Sequence, residues 1–194
     1  MKRTLNILLA GVGGQGTILA GKVLSRWAIL CGYDVKYSEI HGMAQRGGSV
    51  VTQVRVGEKI YSPVVEAGEA DYIVAFEQLE AMRMAHMLNQ GGNIIFSTQV
   101  IEPMPVLMGM ATYPESIPSK LKKYGKIYPL DADSLAAETG NPRASNIVLL
   151  GKLARLIDRG KEEWQQAIRD SVKPGFLESN LKAFELGWGT EEAG

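Results

Sequence analysis

Residues 5–24, LNILLAGVGGQGTILAGKVL, join a short apolar run to a glycine-rich turn and then to a patterned segment. The run over residues 6–12 is typical of a fully buried strand, because it is short, continuously apolar and ended by glycines. Beyond the turn, apolar residues recur at helical spacing and predict a helix over residues 17–30 with one buried face. A second apolar run over residues 35–40 completes a β-turn-α-β unit, which is the opening of an α/β fold.

The next stretch departs from a regular alternation of strands and helices. Residues 49–56 alternate between apolar and polar side chains, Gly57-Glu58 is a turn, and residues 59–65 form a second extended run. Two extended runs joined by a tight turn predict an antiparallel hairpin. We therefore expect a three-layer α/β/α Rossmann-like domain whose sheet is mixed and not all parallel.

Alternation resumes after this hairpin. The pattern predicts strands over residues 71–76, 93–98 and 127–130 and helices over residues 78–89 and 119–124. From about residue 142 the chain is helical, and Pro142 lies in the first turn, where a backbone N–H is not needed. Further helices are expected over residues 161–172 and 176–186. The whole chain, residues 1–194, is thus expected to be one domain with a helical C-terminal extension.

Composition excludes several classes of function. Lys plus Arg and Asp plus Glu both total 21, so no excess of one charge exists to attract nucleic acid or an anionic membrane. Cys31 is the only cysteine, which rules out an internal disulfide and a Cys-x-x-Cys site for zinc or an iron–sulfur cluster. No stretch reaches the roughly 20 apolar residues that span a bilayer, and no signal-peptide cleavage pattern follows the first apolar run, so we expect a cytoplasmic protein.

The glycine loop, Gly11-Val12-Gly13-Gly14-Gln15-Gly16, matches G-x-G-x-x-G between a predicted strand and a predicted helix. Such glycines allow a tight turn and let backbone N–H groups approach an anion at the helix N-terminus. Glu39, at the end of the second strand, stands about where a dinucleotide-binding fold places its ribose-binding acid. Three roles remain open for the loop: close packing of helix on strand, binding of an anion or nucleotide, and contact with a partner subunit or its ligand.

A stand-alone NAD(P)-binding oxidoreductase is one function that this loop suggests, and a nucleotide-binding regulatory protein is another. Three features weaken the first. The predicted hairpin breaks the doubly wound strand order, and the distal half offers no His-Asp or Tyr-Lys pair for hydride transfer. In addition, the double glycine followed by Gln15 is not what a pyrophosphate turn requires.

A second segment makes the pattern more specific. Residues 38–51 read SEIHGMAQRGGSVV, and with the glycine loop they resemble the gamma module of pyruvate and related 2-oxoacid:ferredoxin oxidoreductases. In that module a G-x-G-G-Q-G loop and an M-x-Q-R-G-G segment lie at about this separation. Asn141, Asn146 and Leu150-Gly151 resemble its third characteristic segment. The resemblance covers residues 6–187, and a free-standing module of this length looks most like the indolepyruvate (aryl-pyruvate) type.

The resemblance implies a heteromeric holoenzyme with a larger catalytic partner. That partner would carry thiamine diphosphate, Mg²⁺ and [4Fe-4S] clusters, decarboxylate a 2-oxoacid, pass electrons to ferredoxin and form an acyl-CoA from CoA. The sequence agrees with a subsidiary role, since one cysteine cannot hold a four-cysteine cluster and no G-D-G…N diphosphate–magnesium segment is visible. We therefore expect no cofactor on this chain alone, no metal site, no catalytic residue and no activity without the partner.

The residues expected to face a cofactor, the partner or CoA are Gly11, Gly13, Gly14, Gln15, Gly16, Gln45, Arg46, Gly47 and Gly48. The planar guanidinium of Arg46 suits a carboxylate or phosphate, and the glycines beside it allow close approach of another backbone or a ligand. An ion pair within the domain is the alternative for Arg46. Glu77, directly after the 71–76 strand, is either a site residue at a strand's carboxyl end or an ordinary helix-start acid.

Overall fold

A computed structural model of the chain describes residues 4–41 and 47–191. In this part of the chain, six strands form one sheet in the order β2-β3-β1-β4-β5-β6. Its strands are β1 (Leu5–Val12), β2 (Asp34–His41), β3 (Ser49–Gly57), β4 (Ala70–Ala75), β5 (Leu88–Ser97) and β6 (Lys126–Leu130). β3 runs antiparallel to both of its neighbours, whereas β1, β4, β5 and β6 are parallel to one another. The predicted mixed sheet is confirmed.

Helices cover both faces of this sheet. They are α1 (Thr17–Leu30), α2 (Gln78–Met84), α3 (Met104–Leu107), α4 (Ile117–Leu121), α5 (Ala132–Ala137), α6 (Ser145–Ile157), α7 (Lys161–Ser171) and α8 (Leu177–Gly189). The helix predicted over residues 78–89 is shorter than expected, because its last turn is a 3₁₀ turn and β5 already begins at Leu88. Gly91-Gly92 therefore forms an irregularity inside β5, where the pairing with β4 shifts register.

The antiparallel partner of β3 is β2, and the strand predicted over residues 59–65 is wrong. Side chains of β2 and β3 satisfy the backbone of that stretch, so it needs no neighbouring strand. Its carbonyl oxygens at Ser62 and Val64 accept from the Arg55 guanidinium at 3.3 and 3.2 Å, and Pro63 has no N–H to donate. Its N–H groups at Ile60 and Val65 donate to the Asp34 carboxylate at 2.8 Å and the Gln53 amide oxygen at 2.7 Å.

Alternate residues of the strands enter two separate hydrophobic cores, as the period of two along a strand requires. Ile7 and Leu9 of β1 pack in the core beneath α1, α6, α7 and α8, where Trp27 and Trp164 stack with ring centroids 4.5 Å apart. Leu8 of β1 and its neighbours pack on the opposite face, beneath α2 and α4. The architecture is therefore the predicted three-layer α/β/α sandwich.

The helical C-terminal part packs on one face of the sheet through an unusually close contact between α6 and α8. A Cβ atom added at Gly187 would overlap the carbonyl oxygen of Val148, and one added at Gly151 would overlap that of Phe184. The two glycines therefore let the helix backbones approach each other directly, and the layer that holds α6 against the sheet depends on them.

Candidate functional site

The predicted site residues that the structure describes lie at one edge of the sheet. β1, β4 and β5 are parallel, so their C-terminal ends share one edge, which we call the carboxyl edge. The glycine loop follows β1 there, Glu77 follows β4, and Gln99 lies two residues after β5. β3 is antiparallel to β1, so it begins at this same edge. There the N–H of Gly13 donates to the carbonyl of Gly48 at 2.8 Å. The structure thus brings the first and second sequence segments together.

Two of the predicted site residues lie outside the described residues. Gln45 and Arg46 belong to residues 42–46, so their assignment to the site stays a prediction. Gly47 and Gly48 follow directly and lead into β3. Gly47 is exposed with φ of 75°, and no atom of the described residues lies within 4 Å of its Cβ position, so its backbone is accessible from that part of the chain.

Gln15 fastens the glycine loop to the rest of the carboxyl edge. Its amide oxygen accepts from the N–H of Val12 at 2.7 Å. Its amide nitrogen donates to the carbonyl of Phe76 at 2.9 Å and to the side-chain oxygen of Gln99 at 2.7 Å. One side chain therefore connects the ends of β1, β4 and β5, which gives the polar residue in the loop a role that the sequence alone did not reveal.

The glycines of the loop meet different requirements. Gly14 and Gly16 have φ of 107° and 83°, a region that residues with a Cβ rarely adopt. Gly14 is exposed with no atom within 4 Å of its Cβ position, whereas a Cβ at Gly16 would overlap the side-chain nitrogen of Asn146. That nitrogen donates to the carbonyl of Gly16 at 3.1 Å. Asn146 is 3% exposed, so the third sequence segment packs against the first.

A Cβ at Gly11 would lie 2.9 Å from the Phe76 ring. Close packing therefore accounts for the glycine at position 11, against Phe76, and for the one at position 16, against Asn146 of α6.

The glycine loop and Glu39 are not arranged as a dinucleotide-binding site requires. The N–H groups of Val12, Gly13 and Gln15 all donate to other protein groups, so they are not offered to a phosphate. Glu39, the candidate ribose-binding acid, lies on β2 opposite Thr52 of β3. Because β3 stands between β2 and β1, this acid is displaced by one strand, about 4.8 Å, from the neighbouring position that a dinucleotide-binding fold uses.

Glu77 is a helix-start acid, and the structural interpretation of this residue is confirmed. Its carboxylate caps α2 by accepting from the N–H of Glu80 at 3.0 Å. The other oxygen accepts from the N–H of Ile101 at 3.2 Å and from the hydroxyl of Tyr113. Burial, followed by this hydrogen bond to Glu77, raises the pKa of the Tyr113 phenol. With three donors, the 1%-exposed carboxylate is compensated for its burial.

A second buried carboxylate, Glu80, lies one turn further along α2. One oxygen accepts from the Ser49 hydroxyl at 2.5 Å and the other from the Arg83 guanidinium at 2.5 Å. This contact ties the start of β3, and with it the Gly47-Gly48 end of the second segment, to the helix that follows β4. Sequence reasoning missed this residue, although its position three residues after the helix cap is the spacing of a capping box.

Residues 4–41 and 47–191 contain neither a metal-binding cluster nor a helix that could cross a membrane. No cluster of three or more His, Cys, Asp or Glu side chains is close enough to bind a metal ion. In the same ranges, no helix combines the length and the apolar character that crossing a bilayer requires.

Comparison with known proteins identifies the family. Residues 6–189 match the family model described as pyruvate ferredoxin/flavodoxin oxidoreductase. The indolepyruvate oxidoreductase subunit IorB of Thermococcus kodakarensis is 41% identical over 190 residues, covering 94% of this chain and 93% of that protein.

Two solved structures share the fold. Pyruvate oxidoreductase subunit PORC of Thermotoga maritima has a TM-score of 0.74 at 21% identity and covers 96% of each chain. The 2-oxoglutarate:ferredoxin oxidoreductase of Magnetococcus marinus has a TM-score of 0.75 at 22% identity, covering 100% of this chain but 32% of that one. The fold thus occurs both as a separate chain and as a third of a longer one. The match over residues 6–189 and the 41% identity establish that the chain belongs to the pyruvate ferredoxin/flavodoxin oxidoreductase family.

Proposed function

We propose that this chain is the small, non-cofactor subunit of an indolepyruvate-type 2-oxoacid:ferredoxin oxidoreductase in the cytoplasm. The complex would convert an aryl-pyruvate, CoA and two oxidised ferredoxins into an aryl-acyl-CoA, CO₂, two reduced ferredoxins and a proton. The observation that carries the proposal is the 41% identity to IorB over nearly the full length of both chains. The whole chain would act as one gamma-type domain.

The residues of this chain favour catalysis on a partner subunit. Its single cysteine cannot hold a [4Fe-4S] cluster, which needs four thiolates. The two buried carboxylates at the carboxyl edge, Glu77 and Glu80, have their oxygens occupied by backbone, hydroxyl and guanidinium donors, so neither is placed to move a substrate proton. In this proposal the larger subunit holds the thiamine diphosphate, Mg²⁺ and clusters, and the thiamine cofactor supplies the decarboxylation chemistry.

The carboxyl edge is the surface that we propose faces the partner's active site or the CoA path. Gly14 and Gly47 present exposed backbone there with open space around their Cβ positions, which allows a ligand or another backbone to come close. Gly13 and Gly48 are joined by a hydrogen bond that fixes the two loops relative to each other. Gln15 holds this edge in one shape, and Arg46 supplies a guanidinium for a phosphate or carboxylate.

Reconstitution of turnover tests the function. The purified chain is mixed anaerobically with the proposed larger subunit, and indolepyruvate- and CoA-dependent reduction of ferredoxin or methyl viologen is followed. We expect turnover only when both chains are present, rising with added chain until it saturates. Turnover by this chain alone with NAD or NADP would contradict the proposal. Equal turnover by the larger subunit with and without this chain would also contradict it.

Arg46 is tested with a matched control at the opposite edge of the sheet. Arg46→Ala should lower turnover of the complex or its assembly while the isolated variant keeps the wild-type melting temperature. Arg159→Ala removes the same side-chain type from the far edge, where Arg159 contacts the Tyr33 ring, and should leave turnover unchanged. Full activity of the Arg46→Ala complex would remove this residue from the site.

A further inference from the structure

The connection between β5 and α4, residues 98–116, exposes apolar side chains in unusual density, and we call it the methionine segment. None of its residues is buried. Within seven positions, four large apolar side chains are mostly in solvent: Met104 at 64%, Leu107 at 63%, Met108 at 65% and Met110 at 76% exposure. Exposed apolar side chains are ordinary one at a time, but a group of this kind marks an interaction surface.

The backbone of the methionine segment is held in a defined conformation. Its helix α3 and the turn that follows are held by their own hydrogen bonds, from the N–H of Met108 to the carbonyl of Met104 at 2.9 Å and from the N–H of Met110 to the carbonyl of Pro105 at 2.8 Å. The apolar side chains are therefore presented on backbone that is already ordered. Such preorganisation lowers the entropy cost of binding.

The base of the methionine segment is clamped to the carboxyl edge. Gln99 accepts from Gln15 of the glycine loop at 2.7 Å, the N–H of Ile101 donates to Glu77 at 3.2 Å, and Tyr113 donates to the same carboxylate from the other end of the segment. The exposed methionines are thereby fixed relative to the glycine loop, so a protein that covers one is positioned over the other.

The charges of the methionine segment restrict what it can bind. Residues 98–116 contain Glu102 and Glu115 and no Lys, Arg or His, and both acids are exposed. An anionic lipid surface would repel these carboxylates. A second copy of the same segment would bring like charges together. The chemistry fits an apolar protein surface with basic side chains at its rim, to which flexible methionines adapt well.

We propose that the methionine segment is the docking element by which this chain binds the larger catalytic subunit; this rests on the proposed function. The fold makes up 32% of the longer Magnetococcus marinus chain, where the remaining protein is attached covalently. A separate chain has no such covalent link, so it needs a surface contact to stay with its partner. The methionine segment provides the apolar surface for this contact at the same edge as the glycine loop.

Binding to the larger subunit is measured by calorimetry or sedimentation with the full-length chain. Leu107→Lys should raise the dissociation constant at least tenfold, because an apolar side chain that becomes buried in the complex is replaced by a charge. Ile29→Lys changes an equally apolar side chain, 53% exposed on α1, and should change the constant less than threefold. Both positions are exposed, so both variants should melt at the wild-type temperature.

Methionine oxidation gives a second, independent measurement. With dilute peroxide, Met104, Met108 and Met110 should oxidise rapidly in the isolated chain and at least tenfold more slowly in the complex. If the wild-type complex forms but Leu107→Lys binds equally well and the three methionines stay reactive, the methionine segment is not the docking element, whereas the proposed function is unaffected. If the wild-type chain does not bind the larger subunit at all, both fail. Protection that grows with the concentration of the isolated chain would assign the surface to a second copy and overturn the inference.

Discussion

The packing of Asn146 on the glycine loop leads to a quantitative prediction for Gly16→Ala. Gly14 and Gly16 both have positive φ, and a side chain in that region costs about 1–2 kcal/mol at either position. Only Gly16 has a neighbour, because its Cβ would overlap the Asn146 amide that donates to the Gly16 carbonyl. Moving that buried amide breaks one hydrogen bond and leaves polar atoms unpaired, which adds about 1–3 kcal/mol.

The free energy of unfolding should therefore fall by about 2–5 kcal/mol in Gly16→Ala but by only about 1–2 kcal/mol in Gly14→Ala. Urea denaturation followed by circular dichroism measures both, provided that the m-value is unchanged. Asn146→Ala supplies the control background, since in its absence Gly16→Ala should cost no more than Gly14→Ala. Equal costs for the two glycines in the wild-type background would show that Asn146 does not restrict position 16, as would a Gly16→Ala cost that is unaffected by Asn146→Ala.

Further outcomes follow from the contacts of the site and of the helical layer. Gln15→Glu should lower the free energy of unfolding at pH 7 by about 2–4 kcal/mol, because a carboxylate cannot donate to Phe76 and Gln99. Urea denaturation should show a smaller loss near pH 4, where the new acid is protonated. A loss that does not change with pH would argue against this role of the Gln15 amide. The pKa of Tyr113 is raised in the folded chain, so its contribution to stability is fully present below its unfolded pKa of about 10 and is lost as the pH rises above that value. The melting-temperature difference between wild type and Tyr113→Phe should accordingly narrow from pH 8 to pH 11, and a difference that widens would show the sign to be wrong. Gly187→Ala should prevent close packing of α6 on α8 and lower the free energy of unfolding by more than about 3 kcal/mol. Gly189→Ala, on the same helix with open space around its Cβ position, should be neutral or slightly stabilising in thermal melts. Similar losses of stability for both variants would contradict the packing of α6 on α8.

The sequence predicted the elements of the fold better than their pairing. The glycine loop between β1 and α1, and the helices from α6 to α8, follow from local periodicity and turn residues, so they were predictable. The partner of β3 was not, because residues 59–65 have strand-like composition and only the tertiary contacts of Arg55, Asp34 and Gln53 make that stretch irregular. Pairing across a sheet joins distant residues, and periodicity carries no information about it.

The candidate site, like the fold, could be predicted only in its local features and not in its long-range contacts. The G-x-G-x-x-G pattern predicted a tight strand-to-helix turn, which is present, but it could not show that Gln15 connects three strand ends. Nor could it show that β3 separates Glu39 from β1. The Glu77–Tyr113 contact joins residues that are 36 positions apart, and no local signal in the loop predicts it. The combination of three sequence segments gave the family, whereas the glycine loop alone left packing, nucleotide binding and partner contact all open.

In the proposed function this chain contributes no redox centre and works only through a partner. The most direct measurement is to purify the active complex through a tag on this chain, separate the subunits anaerobically, and determine iron and thiamine diphosphate in each fraction. Both should remain with the larger subunit, and this chain should be colourless and free of iron. Iron or thiamine diphosphate retained in stoichiometric amount by this chain would contradict the proposed function.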